Sequence, residues 1–459
     1  MSVRPCLFVV LAAGKGTRMK SSLPKVLHKI AGQSMLAHVL TTASRIEGGK
    51  IAVVVGPGMD AVGTEAVRVV PGARMFEQSA QLGTADAVLA AKPALDEQGA
   101  DSQAGGDVVV LFADTPLVRG EVIERLRAAL DSGANIAVLG FRPKDPTGYG
   151  RLLIDDRGGL TGIREEQDAT DAERDIGLCN SGVMAFRVPR LSELLSRIGS
   201  ANAKGEYYLT DAIEIARQQG LKATVVECDE SDVLGVNTRE QLAVAEGIWQ
   251  ARARSAFMRD GVTMVAPETV WLNFDTRIAS DVSIEPNVIF AAGVTVEEGV
   301  QILGFCHIEG ATIGKGARIG PFARFRPGAR IGANVHIGNF VEVKNVTLGE
   351  GAKANHLSYL GDGSVGAGAN IGAGTIFCNY DGYNKEKTEI GEGAFIGSNT
   401  SLVAPLKIGA GAYIGSGSVI TKDVSPGALA IERSAQEERP GWAEKFRAVM
   451  SRRKAAQKR

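Results

Sequence analysis

Residues 390–420 read IGEGAFIGSNTSLVAPLKIGAGAYIGSGSVI. Ile390, Ile396, Leu402, Ile408, Ile414 and Ile420 fall at steps of six, and glycine follows four of them. The same rhythm runs earlier through Ile313, Ile319, Phe325, Ile331, Ile337 and Val343. An α-helix repeats near 3.6 residues and a strand at two, so neither keeps a period of six. A parallel β-helix does: each hexapeptide makes one flat face, its aliphatic residue points inward, and small residues let the corners turn tightly. That accounts for the outlying composition, 57 glycines concentrated after residue 290. Hexapeptide repeats of this kind are associated with left-handed β-helices, whose coils have three faces.

The rhythm fails between Val343 and Val365, and again between Phe377 and Ile390. Breaks in a β-helix are expected to be loops, where chemistry tends to sit. The first holds Asn355-His356-Leu357-Ser358-Tyr359-Leu360-Gly361-Asp362, and the second Cys378-Asn379-Tyr380-Asp381-Gly382-Tyr383-Asn384-Lys385. On residue type alone His356 is equally a functional group or a loop filler. His28, His38, His307 and His336 read as structural, as does Cys378, which has no histidine in a pairing motif. The segment from Glu444 to Arg459 is basic and is expected to be partly disordered.

Upstream the pattern is different. Apolar runs at 6–12, 51–55, 107–113, 135–141 and 223–228 alternate with helical patterns at 33–46, 84–92, 120–131 and 206–219. That alternation predicts an α/β domain with a mostly parallel sheet, whose sites gather at the carboxyl ends of the strands. Residues 239–260 carry no proline and one glycine and predict a single helix between the domains. The resulting division is 1–238, a linker helix 239–260, and 261–459 including the basic tail.

The totals exclude several classes. Lys and Arg number 51 against 52 Asp and Glu, so no bulk charge points to nucleic acid or membrane. Five scattered cysteines contain no C-x-x-C pair, which argues against a disulfide framework or zinc site and fits a reducing compartment. The apolar run at residues 6–12 is too short for a signal peptide, and no stretch is long enough to span a bilayer. The reading is a cytoplasmic protein with no membrane insertion and no nucleic-acid partner.

Directly after the first strand comes Leu11-Ala12-Ala13-Gly14-Lys15-Gly16-Thr17-Arg18-Met19, then Pro24-Lys25. Such a turn offers backbone N–H groups to phosphates, and Lys15, Arg18 and Lys25 bring positive charge. The dinucleotide fingerprint fails because position 19 is Met, and the Walker pattern fails for want of G-K-[ST]. On the residues alone, a phosphate cradle and a tight turn with exposed cations stand equal. Asp114 follows the apolar run 108–112, where a βα loop would begin and where it also reads as a helix N-cap.

The segment from Leu11 to Lys25 resembles the signature of sugar-phosphate nucleotidyltransferases. Further segments resemble that family's bifunctional branch, N-acetylglucosamine-1-phosphate uridylyltransferases that also carry a glucosamine-1-phosphate N-acetyltransferase. They are Gln78 with Gln81-Leu82-Gly83-Thr84-Ala85, Phe112-Ala113-Asp114-Thr115-Pro116-Leu117, Thr147-Gly148-Tyr149-Gly150-Arg151, Glu165, Cys179-Asn180-Ser181-Gly182 and Gly235-Val236-Asn237. The resemblance implies that the backbone of Leu11, Ala12, Ala13 and Gly14, with Gln78, Gly83 and Thr84, binds the uridine half, and that Lys25, Phe112, Ala113 and Asp114 also contact UDP-N-acetylglucosamine. It implies that Gly150, Glu165, Asn180 and Asn237 complete the UDP-N-acetylglucosamine site, with Gly150 also readable as a plain turn glycine. Asp114 and Asn237 would hold Mg²⁺, and Arg18 and Lys25 would stabilise charge on the triphosphate. Uridylyl transfer from UTP joins anionic partners, so positioning and charge neutralisation should supply most of its catalysis. Two positions depart from the family: Asp86 stands where His is usual, and Ala113 replaces the common Gly, adding a methyl expected to face the substrate.

In the C-terminal half the same resemblance makes His356 the general base toward the sugar amine, with Glu342 supporting it. Arg326, Lys344, Tyr359 and Asn370 match contacts to glucosamine-1-phosphate. Ala373, Asn379, Tyr380, Ser398, Ser416 and Arg433 match contacts to acetyl-CoA, Ser416 through its backbone. The implied assembly is a homotrimer, and the implied product is UDP-N-acetylglucosamine, a precursor of bacterial cell-envelope polymers. Two rivals are a nucleotidyltransferase whose β-helix serves only assembly, and a non-catalytic scaffold. Arg326, Lys344, His356, Tyr359 and Asn379-Tyr380 argue against the first, and Lys25, Asp114 and Asn237 against the second.

Overall fold

The computed structural model describes residues 4–100, 106–187 and 191–457. The first three residues and the last two of the basic tail lie outside that range. The chain divides into two compact units at Ser255/Ala256.

Among the described residues the first unit is built on a nine-stranded mixed sheet. Its main order is Ala223–Glu227, Ile136–Phe141, Cys179–Phe186, Asp107–Phe112, Cys6–Leu11, Gly49–Val55 and Arg74–Glu77. Neighbours run parallel except Cys179–Phe186, which is antiparallel to both strands beside it. Cys6–Leu11 lies near the middle and is buried throughout, which is why it reads as an unbroken apolar run. Alternate residues serve the two faces: Leu7, Val9 and Leu11 enter one core, and Cys6, Phe8 and Val10 the other. Each predicted strand is present within two residues of its expected ends.

Cys179–Phe186 was not expected as a strand. It carries Asn180, Ser181 and Gly182, and its register with Ile136–Phe141 shifts between Asn180 and Met184, so no simple alternation marks it. The predicted helix at 206–219 narrows to a 3₁₀ turn, Leu209–Asp211, and a helix, Ala212–Gln218.

The helix expected over 239–260 runs Arg239–Arg259. Within the first unit it is no free arm. Ala245 is buried with Ile30, Met35, Leu117 and Val236, and Leu242, Ile248 and Trp249 pack against them. Arg252 and Arg119 both donate to the fully buried Asp232 carboxylate.

The second unit is a parallel β-helix of three short strands per coil. Ser283 pairs with Gln301 and Arg318 with His336, eighteen and again eighteen residues on. All twelve residues of the two six-step runs are buried. The glycines that follow the inward-facing isoleucines are required by coil stacking: a Cβ on Gly314 would lie 2.8 Å from the Gly332 carbonyl carbon.

Two expectations change here. The first break holds no inserted loop. Lys353–His356 and Tyr359–Val365 are strands in register with the coil before, and the coil is merely one residue shorter, His336 pairing with Lys353. His356 therefore sits at a corner, next to Leu357 in the left-handed region at φ 49°. The second break is a true insertion, since Asn370 pairs with Phe395, twenty-five residues on. The basic tail, expected to be partly disordered, forms an exposed helix, Trp442–Ala456; basic side chains in its last turn complement the helix dipole.

Candidate functional sites

In the first unit, the carboxyl ends of the central strands open on a cleft of about 270 Å³. It is lined by Leu11, Ala12, Ala13, Gly14, Lys25, Gln78, Gly83, Thr84, Phe112 and Asp114, together with Lys15, Gln81 and Glu206. The turn after the first strand is glycine-rich for two reasons. Gly16 sits at φ 61°, and any Cβ there would run into the Lys25 side chain. Gly14 has open space around it, leaving the backbone bare toward the cleft.

The opposite wall is held by hydrogen bonds. The buried Gln78 amide donates to the Gly83 carbonyl (2.9 Å) and to Asp86 Oδ2 (2.8 Å), and Asp86 also accepts from the Leu82 N–H. Asp86, one of the two departures, thus orders this wall as an acceptor. Gln81 Nε2 donates to the Ala13 carbonyl at 2.8 Å and ties the two walls together. Gln81 was quoted in the motif without a role; only the fold shows its partner. Gly83 at φ 129° leaves no room for a side chain, since a Cβ would lie 2.6 Å from the Tyr207 carbonyl oxygen.

Asp114 and Asn237 are brought together by the Val236 N–H, which donates to the Asp114 carbonyl at 2.8 Å. Lys25 Nζ lies between their side chains, 2.5 Å from Asp114 Oδ2 and 2.9 Å from Asn237 Oδ1. The next helix begins at Gly120, so Asp114 is not its N-cap. Two hard oxygen donors converging on one cation position fit Mg²⁺, which takes few protein ligands and completes its shell with phosphate and water. Among the described residues no cluster of three acidic, His or Cys side chains offers a closed metal site.

Ala113 corrects an expectation. It is fully buried in the apolar core on one face of the sheet, and its N–H donates to the Leu11 carbonyl. Its methyl belongs to that core and does not line the cleft.

Gly150, Glu165 and Asn180 form a second group. The Asn180 N–H donates to the Gly150 carbonyl at 2.7 Å, and a Cβ on Gly150 would sit 3.5 Å from Glu165 Oε1. Gly150 is buried beside that carboxyl. Burial pushes the Glu165 carboxyl above the usual range, against a hydrogen bond from Thr210. The Phe112 ring packs where a Gly182 side chain would be, joining this group to the cleft. Arg18 stands exposed on the turn Thr17–Met19, outside the cleft lining.

Among the remaining histidines, His28 accepts from Arg239 and His38 reaches the Ile30 carbonyl. His307 and His336 are exposed on β-helix faces.

In the second unit, one corner stacks Asn339, His356, Ala373, Ser398 and Ser416 on successive coils. Their link is the backbone: Leu357 N–H to the Asn339 carbonyl, Gly374 to His356, Asn399 to Ala373, and Gly417 to Ser398. Arg433 caps this column, donating to the Ser416 carbonyl at 2.7 Å. Ser416 also accepts from the Ser398 N–H through its hydroxyl.

His356 Nδ1 lies 2.8 Å from Asn339 Oδ1. An amide oxygen only accepts, so this contact places a proton on Nδ1 and, in the neutral imidazole, leaves the Nε2 lone pair free. Glu342, expected to support His356, instead binds Arg326 at 3.1 Å. Asn339 is the residue that the sequence reading missed, because the contact spans one coil.

Arg326, Lys344 and Tyr359 lie on the face leading from this corner, in the register Arg326–Lys344–Gly361 and Glu342–Tyr359. Asn370 lies on the other side of the corner, paired with Lys353. Asn379 and Tyr380 are elsewhere. They stand at the far end of that face, Asn379 buried against Asp362 and Tyr380 exposed on the insertion. One strand length, roughly 15–20 Å, separates the two corners.

Comparison with known proteins covers both units. Residues 8–176 match the MobA-like NTP transferase domain family. Residues 310–345 and 387–422 match the bacterial transferase hexapeptide family. The bifunctional protein GlmU of Azorhizobium caulinodans is 59% identical over 98% of this chain and 99% of its own. That of a Bradyrhizobium strain is 57% identical over 97% and 98%, and that of Nitrobacter hamburgensis 58% over 97% of each. A solved CMP:2-keto-3-deoxy-manno-octonic acid synthetase complexed with CTP aligns with 54% of this chain and 99% of its own, at 17% identity and a TM-score of 0.40.

Proposed function

The chain belongs to the family of the bifunctional protein GlmU, and on that premise we propose how its two sites divide the synthesis of UDP-N-acetylglucosamine. It is a bifunctional transferase. The β-helix acetylates glucosamine-1-phosphate from acetyl-CoA, and the N-terminal unit transfers a uridylyl group from UTP to the N-acetylglucosamine-1-phosphate formed. The carrying observation is end-to-end kinship, with a cleft at the carboxyl ends of the strands and a histidine hydrogen-bonded to Asn339 in one chain.

In the acetyl transfer, the sugar amine attacks the thioester carbonyl, a C–N bond forms and the C–S bond breaks. His356 Nε2 takes the amine proton, Asn339 holds the imidazole in the required tautomer, and the leaving thiolate is protonated as CoA departs. Arg326 and Lys344 supply cations for the sugar phosphate.

In the uridylyl transfer, a phosphate oxygen of the sugar attacks the α-phosphorus of UTP in line and pyrophosphate leaves. The bare backbone at Gly14 and the Gln78–Gly83 wall position the nucleotide, while Gly150, Glu165 and Asn180 receive the sugar. Mg²⁺ held by Asp114 and Asn237 would add positive charge at the phosphate oxygens. Lys25, already within reach of both ligands, adds its own, and Arg18 approaches from the rim.

The proposed assembly is a homotrimer with the acetyl site shared between chains. Two observations support it. The residues assigned to acetyl-CoA are divided between two corners of one face, an arrangement that suits a site completed by a neighbouring chain. The His356 corner also exposes a ladder of Phe305, Phe322, Phe340 and Leu357, 44–60% accessible, with the rings stacked 4.9 and 5.1 Å apart, the kind of apolar patch that marks an interface. The proposed location is the cytoplasm, where both co-substrates are made and five free cysteines stay reduced. Among the described residues no helix is long and apolar enough to cross a membrane.

The test is direct. Purified protein should consume acetyl-CoA with glucosamine-1-phosphate, and release pyrophosphate from UTP with N-acetylglucosamine-1-phosphate. Absence of the first activity would leave the β-helix to assembly.

A further inference from the structure

The corner opposite His356 carries a polar column, Asn345, Asp362 and Asn379, on three successive coils. Asp362 is its middle rung, 6% exposed and at φ 52°, a left-handed conformation that Asp tolerates better than most residues. Its carboxylate accepts three side-chain hydrogen bonds: from Asn345 Nδ2 at 2.8 Å, Lys344 Nζ at 3.1 Å and Asn379 Nδ2 at 2.5 Å. A buried carboxylate is retained only when it is so paired.

What it pairs is specific. Lys344 is the cation assigned to the sugar phosphate, and Asn379 roots the insertion assigned to acetyl-CoA. A lysine has four rotatable bonds and a strongly hydrated head, so it needs an anchor to present its charge at one point. Lys344 is 18% exposed at its side chain and Asp362 9%, so this pair is shielded from the screening that weakens surface pairs.

We infer that Asp362 is a positioning residue for acetyl transfer: it fixes the Lys344 ammonium for the sugar phosphate and ties the base of the Asn379–Lys385 insertion to the coil before it. It touches neither substrate. The inference rests on the substrate assignment of the β-helix given above.

The electrostatics agree. Burial works against the charge on Asp362, but the donors Asn345, Lys344 and Asn379 outweigh it and hold the carboxyl below its usual range. Lys344 is likewise held above its ordinary value, the Asp362 pairing outweighing desolvation.

The experiment uses the full-length protein with Asp362→Asn, Lys344→Met and the double variant. Asn keeps the size and the left-handed backbone while losing the charge. Asp362→Gly, which also accepts that backbone, replaces it if the Asn variant does not fold. Folding is followed by the melting temperature of the β-helix and by uridylyl transfer, which should stay normal. In Asp362→Asn the KM for glucosamine-1-phosphate should rise roughly 10-fold, the scale of one charged hydrogen bond, with kcat within about 3-fold of the parent. In the Lys344→Met background the same change should barely move that KM, because the residue through which it acts is gone.

Two results would overturn the inference: a normal KM in Asp362→Asn beside an impaired Lys344→Met, or full additivity in the double variant. A normal KM in Lys344→Met would be different in kind. It would remove the substrate assignment itself and this inference with it.

Discussion

The ammonium of Lys25 lies 2.5 Å from Asp114 Oδ2 and 2.9 Å from Asn237 Oδ1, so one side chain spans the two residues assigned to a metal. The Lys25 and Asp114 side chains are largely buried, at 10% and 22% exposure. Asp114→Ala should therefore remove a metal ligand and leave Lys25 partnered by Asn237 alone. Uridylyl transfer is expected to fall by at least roughly 10²–10³-fold, with acetyl transfer near normal, because His356 belongs to the other unit. Chelation should show the same asymmetry. Parallel loss of both activities in a folded variant would refute two independent sites.

The Asn339–His356 contact makes a prediction that separates orientation from basicity. Asn339→Ala should lower kcat for acetyl transfer roughly 10-fold by freeing the imidazole tautomer, without moving the pH profile. Asn339→Asp keeps the acceptor and adds a negative charge, which favours imidazolium. The acid limb of the profile should then shift to higher pH, since a base with a raised pKa is deprotonated only above it. His356→Ala should cost about 10²–10⁴-fold. Identical profiles for all Asn339 variants would return the supporting role to another group.

Legibility in the sequence followed physical range. The β-helix was readable because its constraint is local and repeated: every sixth residue faces the interior, and each such residue in both runs is buried. The Gln78–Gly83 wall and the Lys25 turn were readable as motifs because Gly16 and Gly83 sit at positive φ, a constraint of their own backbone. Asn339, Asp362 and the true partner of Glu342 were not. Each acts across one coil, and nothing in the linear order says that Glu342 meets Arg326 rather than His356. Ala113 shows the converse error, a position read by motif as facing the cleft whose side chain turns into the core.

That correction is itself testable. Ala113→Gly would remove a methyl that lies in the core. The substitution should leave the KM for both uridylyl substrates unchanged. It should cost about 1 kcal/mol of stability from lost burial and added chain freedom, read as a lower denaturant midpoint for the first unit. A lower KM at unchanged stability would show that the methyl does reach the substrate.

Glu165 sets a pH dependence for the same unit. Burial holds its carboxyl above the usual range, so the folded state favours the protonated acid. The sign follows from linkage: a raised folded value means the native chain binds the proton first as pH falls, and stability rises toward acid. Above the folded pKa the cost of the buried charge is fully present. Glu165→Gln removes that cost, so it should raise the melting temperature at pH 8 and have little effect near pH 4. An equal gain at both values would mean that the charge is not what burial penalises.

The division of acetyl-CoA contacts between two corners predicts complementation between chains. His356 stands on one corner with Ala373, Ser398, Ser416 and Arg433, and Tyr380 on the other, roughly 15–20 Å away along a strand. Each of His356→Ala and Tyr380→Ala alone should impair acetyl transfer. In the proposed trimer, whose cyclic interface is heterologous, the shared-site reading has the Tyr380 corner of one chain meet the His356 corner of its neighbour. A site then needs an intact His356 from one chain and an intact Tyr380 from the next. In random mixtures of the two variants each condition is met half the time, so about a quarter of sites should be restored. If both residues serve one site from the same chain, no mixed site is complete and mixing restores nothing. Arg433 sits on the His356 corner of its own chain, so Arg433→Ala mixed with Tyr380→Ala should behave like the first pair. A monomeric mass in solution would exclude the shared site before any mixing is done.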